Sequence, residues 1–438
     1  MNNQLTIYAL SSGQGRAGIA VIRVSGPRAR DILVGLAGNM PAPRMASLRL
    51  LRTVDRRDVV DQAMVLWLPE PGTVTGEDMV EFHVHGSSSV VAALFAQFAL
   101  FDSVVPAEAG AFTRRAFENG RMDLVEVEGL ADLLGAQTEV QRRLAMRQFL
   151  GEASSVYEEW RSQLIKALAL LEAAIDFVDE DDVEKEAWKQ VEPNVRLLRD
   201  ELIEAVAVSG KAGAVRDGLK LVIAGPPNVG KSSLMNWLVG RDVAIVSTIP
   251  GTTRDVVERV IDFHGCALVV SDTAGIRDAG ADLVEADGME RAKREVGNAD
   301  ILVWMTAPDI ISTVVPERVP DIFIVNKSDL NLSRNRNDGF DISVKSGFGL
   351  DQLTQNLKTL IQARIAVADD AVVVRDRHVV AVRETIRLLN DALENSGRPI
   401  EIVAEDLRKA TRSLASITGR IDVEDLLGKI FSEFCIGK

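Results

Sequence analysis

The rhythm of apolar and polar positions changes three times along the chain. Over residues 4–119, short runs such as GIAVIRVSG, DQAMVLWLPE and DMVEFHVHG are β-like, and Gly and Pro punctuate them. An apolar helical run, SSVVAALFAQFAL, lies among them. That mixture predicts a compact α+β domain. From Ala107 to Glu192 there is no proline, and Leu, Ala, Glu and Arg dominate, as in GLADLLGAQTEVQRRLAMRQFL and RSQLIKALALLEAAIDF. This stretch predicts long helices. At DGLKLVIAGPPNVGKSSLMNWLVG the pattern switches to a strand, a glycine-rich turn and a helix, and strands and helices then alternate to about residue 372. The last stretch, Arg375 to Lys438, carries one proline and returns to helical periodicity. The simplest topology inserts an α/β domain between two parts of one helical domain, because the ends of an inserted domain lie close together. The expected divisions are 1–119 (α+β), 120–215 (helical, first part), 216–374 (α/β) and 375–438 (helical, second part).

Composition narrows the partners. The 438 residues carry a formal charge of −14, so the average surface repels nucleic acid, and RNA contact needs a local basic patch or a second protein. Two cysteines, Cys266 and Cys435, make no disulfide framework and point to a reducing, cytoplasmic setting. The start, MNNQLTIYALSSG, lacks a basic segment followed by an apolar run, and no apolar stretch is long enough to span a bilayer, so neither a signal peptide nor a membrane role is expected.

The candidate chemistry begins at GPPNVGKS, Gly225 to Ser232, which fits G-x-x-x-x-G-K-S between an apolar strand, Leu219–Ala224, and a helix. Backbone N–H groups of such a loop wrap a β-phosphate. Asn228, Val229, Gly230 and Ser233 line the loop, Lys231 reaches the β- and γ-phosphates, and Ser232 ligates Mg²⁺. DTAG (Asp272, Thr273, Ala274, Gly275) follows the strand CALVVS; Asp272 suits Mg²⁺ through water, and the Gly275 N–H senses the γ-phosphate. NKSD (Asn326, Lys327, Ser328, Asp329) follows DIFIVN. Asp329 can accept both donors of the guanine N1–H and N2–H₂ edge, which adenine lacks, so the expected nucleotide is GTP. SVK (Ser343, Val344, Lys345) is the expected base-side loop. Ser247 to Asp255 has the polar character of a switch segment, with Thr253 as a second Mg²⁺ ligand. Many GTPases place a water-orienting Gln directly after D-x-x-G; here that position is Ile276, so another group must align the water. Asp278, Asp282, Glu285 and Asp287 are the acidic candidates.

PNVGKSSL, IPGTTRD, DTAGIR and the terminal FCIGK together resemble the MnmE (TrmE) family of tRNA modification GTPases. The resemblance extends over essentially the whole chain through IRVSGP (Ile22–Pro27), TGEDMVEFHVHG (Thr75–Gly86), FTRRAFENGRMDL (Phe112–Leu124), ITG (Ile417–Gly419) and EDLL (Glu424–Leu427). It implies an N-terminal tetrahydrofolate-binding and dimerisation domain, a discontinuous helical domain and an inserted Ras-like P-loop GTPase domain with flanked parallel sheet. It also implies a potassium-activated GTPase that forms a homodimer and, with the FAD protein MnmG, a heterotetramer. That assembly places a (carboxymethyl)aminomethyl group on C5 of the wobble uridine of certain tRNAs, with the one-carbon unit drawn from 5,10-methylene- or 5-formyl-tetrahydrofolate. By the same resemblance Asn228, Ser247, Ile249 and Thr252 hold K⁺ within a GTP-contacting segment that includes Thr248, Pro250 and Gly251. Glu285, in the run Val284–Gly288, orients the attacking water. Arg23, Glu81, Arg121 and Lys438 form the folate site, where Arg121 departs from the family's lysine and Ala111 from its glutamate. Cys435 has two readings: a nucleophile or acid/base group beside folate, or a small packed hydrophobe.

Other features have plainer readings. His83 and His85 alternate on a strand with no third ligand at a suitable spacing, which favours structural or surface roles over a metal site. His264 reads as a turn residue at the surface and Cys266 as buried and inert. The acidic run Asp176–Glu186 reads as a solvated helix end, and the basic clusters Arg52–Arg57 and Gln141–Gln148 as solvated faces with tRNA phosphate as the sharper alternative. A GTPase acting as a ribosome-assembly or RNA-binding module without one-carbon chemistry is the competing function; it predicts a strongly basic appendage, which this acidic chain lacks. A folate-dependent transferase with a vestigial G domain conflicts with the intact nucleotide motifs.

Overall fold

The computed structural model describes residues 5–176, 181–241, 243–244, 259–272, 293–310, 315–316, 318–330, 339–369, 371–394, 398–421, 424–432, 434 and 436–437. The chain folds as two compact units: residues 1–131, 149–154 and 415–438, and residues 132–148 and 155–414.

In the first unit, β1 (Thr6–Leu10), β2 (Ala17–Ser25), β3 (Ser47–Arg52), β4 (Val59–Leu68), β5 (Met79–Gly86) and β6 (Val104–Pro106) form one sheet in the order β3-β4-β5-β2-β1-β6. Every pairing is antiparallel except β1 with β6. Alternation along the strands divides the faces, since successive side chains point to opposite sides. Ile22, Val24, Val80, Phe82 and Val84 bury against Leu33 and Leu36 of α1 (Ala29–Ala37) and Leu94 and Phe98 of α2 (Ser88–Phe98). Tyr8 closes this core edge-on to Phe95 and Phe98, at 5.0 and 5.1 Å between ring centres. Arg23 and Glu81, directly paired in the β2–β5 register, therefore stand together on the other face. Phe112 of α3 (Ala111–Glu118) packs there with Ile7 and Ala9. The helix α4 (Leu124–Gly135) follows.

The second unit contains most of α5 (Glu139–Phe149) and α6 (Glu152–Asp176), all of α7 (Asp181–Asp217), and a seven-stranded sheet. Its strands are β7 (Leu219–Ala224), β8 (Val243–Ala244), β9 (Arg259–Phe263), β10 (Cys266–Asp272), β11 (Ile301–Thr306), β12 (Ile322–Val325) and β13 (Phe340–Asp341). The order is β13-β12-β11-β7-β10-β9-β8; only β8 and β9 run antiparallel to their neighbours. The near-continuous apolar run of β7 follows from burial on both faces. Leu221 and Ile223 meet Leu234 and Leu238 of α8 (Lys231–Arg241), while Val222 and Ala224 meet Leu302 and Trp304. Cys266 lies in this core, and burial with the nearby Asp262 charge pushes its thiol up to about 12, as expected of an inert thiol. His264 sits exposed in the preceding turn. The unit continues through α9 (Leu350–Asp369), α10 (Asp376–Leu393) and α11 (Ile400–Thr418), with α7 packed against α9 and α10.

The proline that ends the proline-free stretch does not end the helix. Pro193 lies inside α7, which runs on to Asp217. A proline in a helix interior costs about 3 kcal/mol. Val191, Val195, Leu198 and Leu202 bury fully at helical spacing, and each such side chain contributes about 1.5–3 kcal/mol, so packing outweighs the lost bond. The basic cluster in α5 has a partner that the linear pattern hides: Arg143 pairs with Asp369 at 2.8 Å, and Arg147 donates to the Asp369 carbonyl. The chain returns to the first unit in α12 (Glu424–Ser432), where Phe431 and Phe434 pack with Leu124, Val127 and Leu427. No described helix is long and apolar enough to cross a membrane.

Candidate functional site: a phosphate loop tied to a base loop

The loop Gly225–Gly230 joins β7 to α8, so its backbone faces the N-terminal end of a helix, where unpaired N–H groups and the helix dipole favour an anion. Gly225 has φ +146°, and a Cβ there would lie 2.0 Å from the Met305 carbonyl oxygen; the close crossing of β11 requires glycine. Asn228 takes φ +63° and stands exposed. Lys231 is almost fully buried and donates Nζ–H to the carbonyls of Gly225 at 3.2 Å and Pro226 at 2.9 Å. Its charge is therefore held at the loop. Ser232 and Ser233 follow, both exposed, in the first turn of α8.

Asn326 directly follows β12 and joins two loops. Its Nδ2 donates to the buried Val229 carbonyl at 2.8 Å, and its Oδ1 accepts the Val344 N–H at 3.1 Å. Gly230 leaves room for this: a Cβ there would lie 2.4 Å from Asn326 Nδ2. Ser343 donates its hydroxyl to Asp329 Oδ1 at 2.7 Å and accepts the Ser346 N–H at 3.1 Å. That hydroxyl bond, helped by Lys345 and Lys327, holds the exposed Asp329 carboxyl below the usual carboxylate range, so it is ionised and acceptor-only. Lys327, at φ +63°, pairs with Asp309 at 2.6 Å. The structure thus brings Val229, Gly230, Lys231, Asn326, Asp329, Ser343 and Val344 into one interlocked arrangement. Asp272 ends β10 beside Ile223 of β7, one strand from the loop. Its side chain, Thr273–Gly275, Ser247–Thr253 and Glu285 lie outside the described residues.

In the first unit, Arg23 and Glu81 meet at 2.9 Å. Burial pushes the Glu81 carboxyl up, but the Arg23 charge and hydrogen bonds, with His83, outweigh it and leave Glu81 below the usual range. The Arg23 guanidinium lies 5.8 Å from the Phe112 ring centre. Arg121 is exposed just beyond α3; its Cγ would lie 3.3 Å from a Cβ at Gly76. Beneath it is a buried polar network that the sequence did not single out. Arg115 donates to Glu77 at 2.7 Å and to the carbonyls of Ser25 and Leu5, while Ser25 bonds both Thr75 and Glu77. Cys435 and Lys438 lie outside the described residues, yet the positions around them are docked. Phe434 is 5% exposed, Ile436 bridges Ala109, and Gly437 accepts the Ser11 hydroxyl at 3.0 Å. His83 reaches Glu81 at 3.3 Å and His85 reaches Asp61 at 2.7 Å; neither joins a group of three potential metal ligands among the described residues.

A strand–phosphate loop–helix on a mostly parallel sheet, with the NKSD loop tied to the phosphate loop through Asn326 and its Asp329 carboxylate held ionised and exposed, defines a P-loop GTPase. The chain matches the MnmE helical domain over residues 124–435 and the GTP-binding protein TrmE N-terminus over residues 6–121. It is 43% identical to a tRNA modification GTPase MnmE of Brucella anthropi, over 99% of this chain and 98% of that one. It is 45% identical to the protein of the same description from Agrobacterium fabrum, over 99% of each. The chain belongs to the MnmE (TrmE) family of tRNA modification GTPases. Among solved structures, the G domain of the T. maritima FeoB iron transporter overlaps 33% of this chain and 99% of that one, at 22% identity and a TM-score of 0.23.

Proposed function

We propose that this chain is a potassium-activated GTP hydrolase that works with MnmG to place a (carboxymethyl)aminomethyl group on C5 of the wobble uridine of certain tRNAs, using a tetrahydrofolate one-carbon unit. The observation that carries the GTP reading is the Asn326 tie between the phosphate loop and the base loop, with Asp329 held ionised beside it. Guanine offers Asp329 two adjacent N–H donors, and adenine does not.

In this reading Lys231 exchanges the Gly225 and Pro226 carbonyls for β- and γ-phosphate oxygens. The loop N–H groups around Asn228–Ser233 hold the β-phosphate. The site suits two cations. Ser232, in the first turn of α8, offers a hard oxygen for Mg²⁺, with Thr253 as a second ligand and Asp272 acting through water. The exposed Asn228 side chain, with Ser247, Ile249 and Thr252, offers oxygens for K⁺. Bound, the two cations neutralise charge on the phosphate oxygens, which phosphoryl transfer needs more than covalent chemistry. Glu285 orients the attacking water in place of the Gln that Ile276 replaces.

The N-terminal site suits tetrahydrofolate. Arg23 and Glu81 are fixed as a pair beside Phe112, and Glu81 is an ionised acceptor for a pterin N–H. Arg121 and Lys438 suit the carboxylates of the glutamate tail. Cys435 acts at this site as nucleophile or acid/base group, or packs there as a small hydrophobe. The proposed organisation is a dimerising folate domain at 1–119, a helical domain at 120–215 and 375–438, and a G domain at 216–374, in a cytoplasmic heterotetramer with MnmG that acts on tRNA.

Two measurements test this. Replacing Na⁺ with K⁺ should raise GTP turnover strongly; equal rates in both salts would remove the cation assignment. Nucleosides from tRNA of a deletion strain should lack the C5-modified wobble uridine; its unchanged presence would favour a ribosome-assembly or RNA-binding role.

A further inference from the structure

Glu81 is held from two sides. Arg23 donates Nε–H and Nη2–H to the same oxygen, Oε1, at 3.1 and 2.9 Å. The Nε2 of His83 lies 3.3 Å from the other oxygen, Oε2. An ionised carboxylate has about four lone-pair positions and no proton to give. Arg23 occupies both positions of Oε1. Nε2 of His83 must carry the hydrogen in this contact, and it occupies one position of Oε2. Among the described residues, one acceptor position is left, on Oε2.

The surroundings keep that arrangement in place. Arg23 and Glu81 are cross-strand partners on β2 and β5, and His83 is two residues along β5, so all three share one face. Their side chains are 16%, 17% and 32% exposed, so His83 is the most open of the three. The uncharged Val21 and Met64 flank His83 across β2 and β4. Arg23 is backed by Phe112, which restricts its guanidinium. Without His83, the Glu81 carboxylate is anchored by the described residues through one oxygen only and can pivot about it.

We infer that His83 is a positioning residue for Glu81: its Nε2–H fixes Oε2 so that the single remaining lone pair faces one N–H donor of a heterocyclic ligand. This role rests on the folate reading of the site. It differs from a packing role, because it depends on a donor at position 83 and not on volume.

Isothermal titration of the full chain with 5-formyl-tetrahydrofolate tests it, using the unaltered protein, Glu81→Gln, His83→Leu and His83→Gln. His83→Leu should weaken binding about tenfold, equivalent to about 1.4 kcal/mol. His83→Gln, which keeps an N–H donor, should stay within about threefold of the unaltered protein. Both should melt with it. Equal affinity in His83→Leu and the unaltered protein, with Glu81→Gln impaired, would overturn the His83 role alone. Equal weakening in the Leu and Gln variants would assign His83 to packing and overturn the role too. Failure of the unaltered protein to bind would overturn the folate reading and, with it, this one.

Discussion

Replacing Asn326 with alanine removes two hydrogen bonds that join separate loops. The Val229 carbonyl loses the Nδ2 donor at 2.8 Å, and the Val344 N–H loses the Oδ1 acceptor at 3.1 Å. Asn326 is 5% exposed, so water does not simply replace it. Each bond contributes about 0.5–1.5 kcal/mol net, and each partner left unsatisfied costs about 1–3 kcal/mol. Partial relaxation of the turn after Val344, where Lys345 and Ser346 are exposed, reduces the second amount, which leaves a loss of about 2–4 kcal/mol. If that loss falls on the nucleotide-ready arrangement, guanine nucleotide affinity drops by about 30- to 1,000-fold. Asn326→Asp keeps the acceptor but turns a second oxygen toward the Val229 carbonyl, so it should be at least as damaging. The assay is binding of a fluorescent GDP analogue, alongside thermal melting of the apo protein. Both variants should bind weakly, and the apo melting temperature should fall. Affinity and melting both unchanged in Asn326→Ala would refute the interlock, and would leave Asn326 as a bystander to Asp329.

Three further expectations follow from other parts of the molecule. Glu81 titrates below its ordinary range in the folded state, so its stabilising pair with Arg23 is present at neutral pH and is lost as pH falls through the lowered value. The urea midpoint of Glu81→Gln should therefore approach that of the unaltered protein on acidification below about pH 4, and a constant gap would count against the pair. Cys266, with its thiol pushed up to about 12, is thiolate in about one molecule in ten thousand at pH 8. Native Cys435→Ser protein should resist a maleimide that labels it readily once denatured; rapid native labelling would show that Cys266 is accessible. Gly437 has φ +101°, and a Cβ there would sit 2.3 Å from the Leu10 carbonyl oxygen. Gly437→Ala should undock the terminal segment and lower tRNA modification while GTP turnover persists; intact modification would show that docking is dispensable.

What the sequence made legible divides by distance along the chain. The phosphate loop could be read because strand, turn and helix are consecutive, and its context is complete between Leu219 and Arg241. The run DMVEFHVHG likewise read as a strand without a structure, and Met79–Gly86 forms one. The joints could not be read that way. Asn326 meets Val229 across 97 residues, Arg143 meets Asp369 across 226, and Ser11 meets Gly437 across 426. No local periodicity encodes such partners. The arginines of α5 consequently read as a solvated face or a tRNA contact; Arg142 and Arg143 are indeed exposed, but Arg143 and Arg147 are also anchored at the end of α9. His83 shows both sides of that limit. Its spacing to His85 raised the question of a metal, but its partner is Glu81, two residues back on the same face of β5, and only the register of β2 against β5 adds Arg23 through Glu81. The chemistry of the N-terminal site is thus set by which residues face one another across strands. An Arg23 or His83 substitution should therefore be judged by what it does to Glu81, and a charge-preserving change such as Arg23→Lys, which cannot place two donors on Oε1, is not a conservative one.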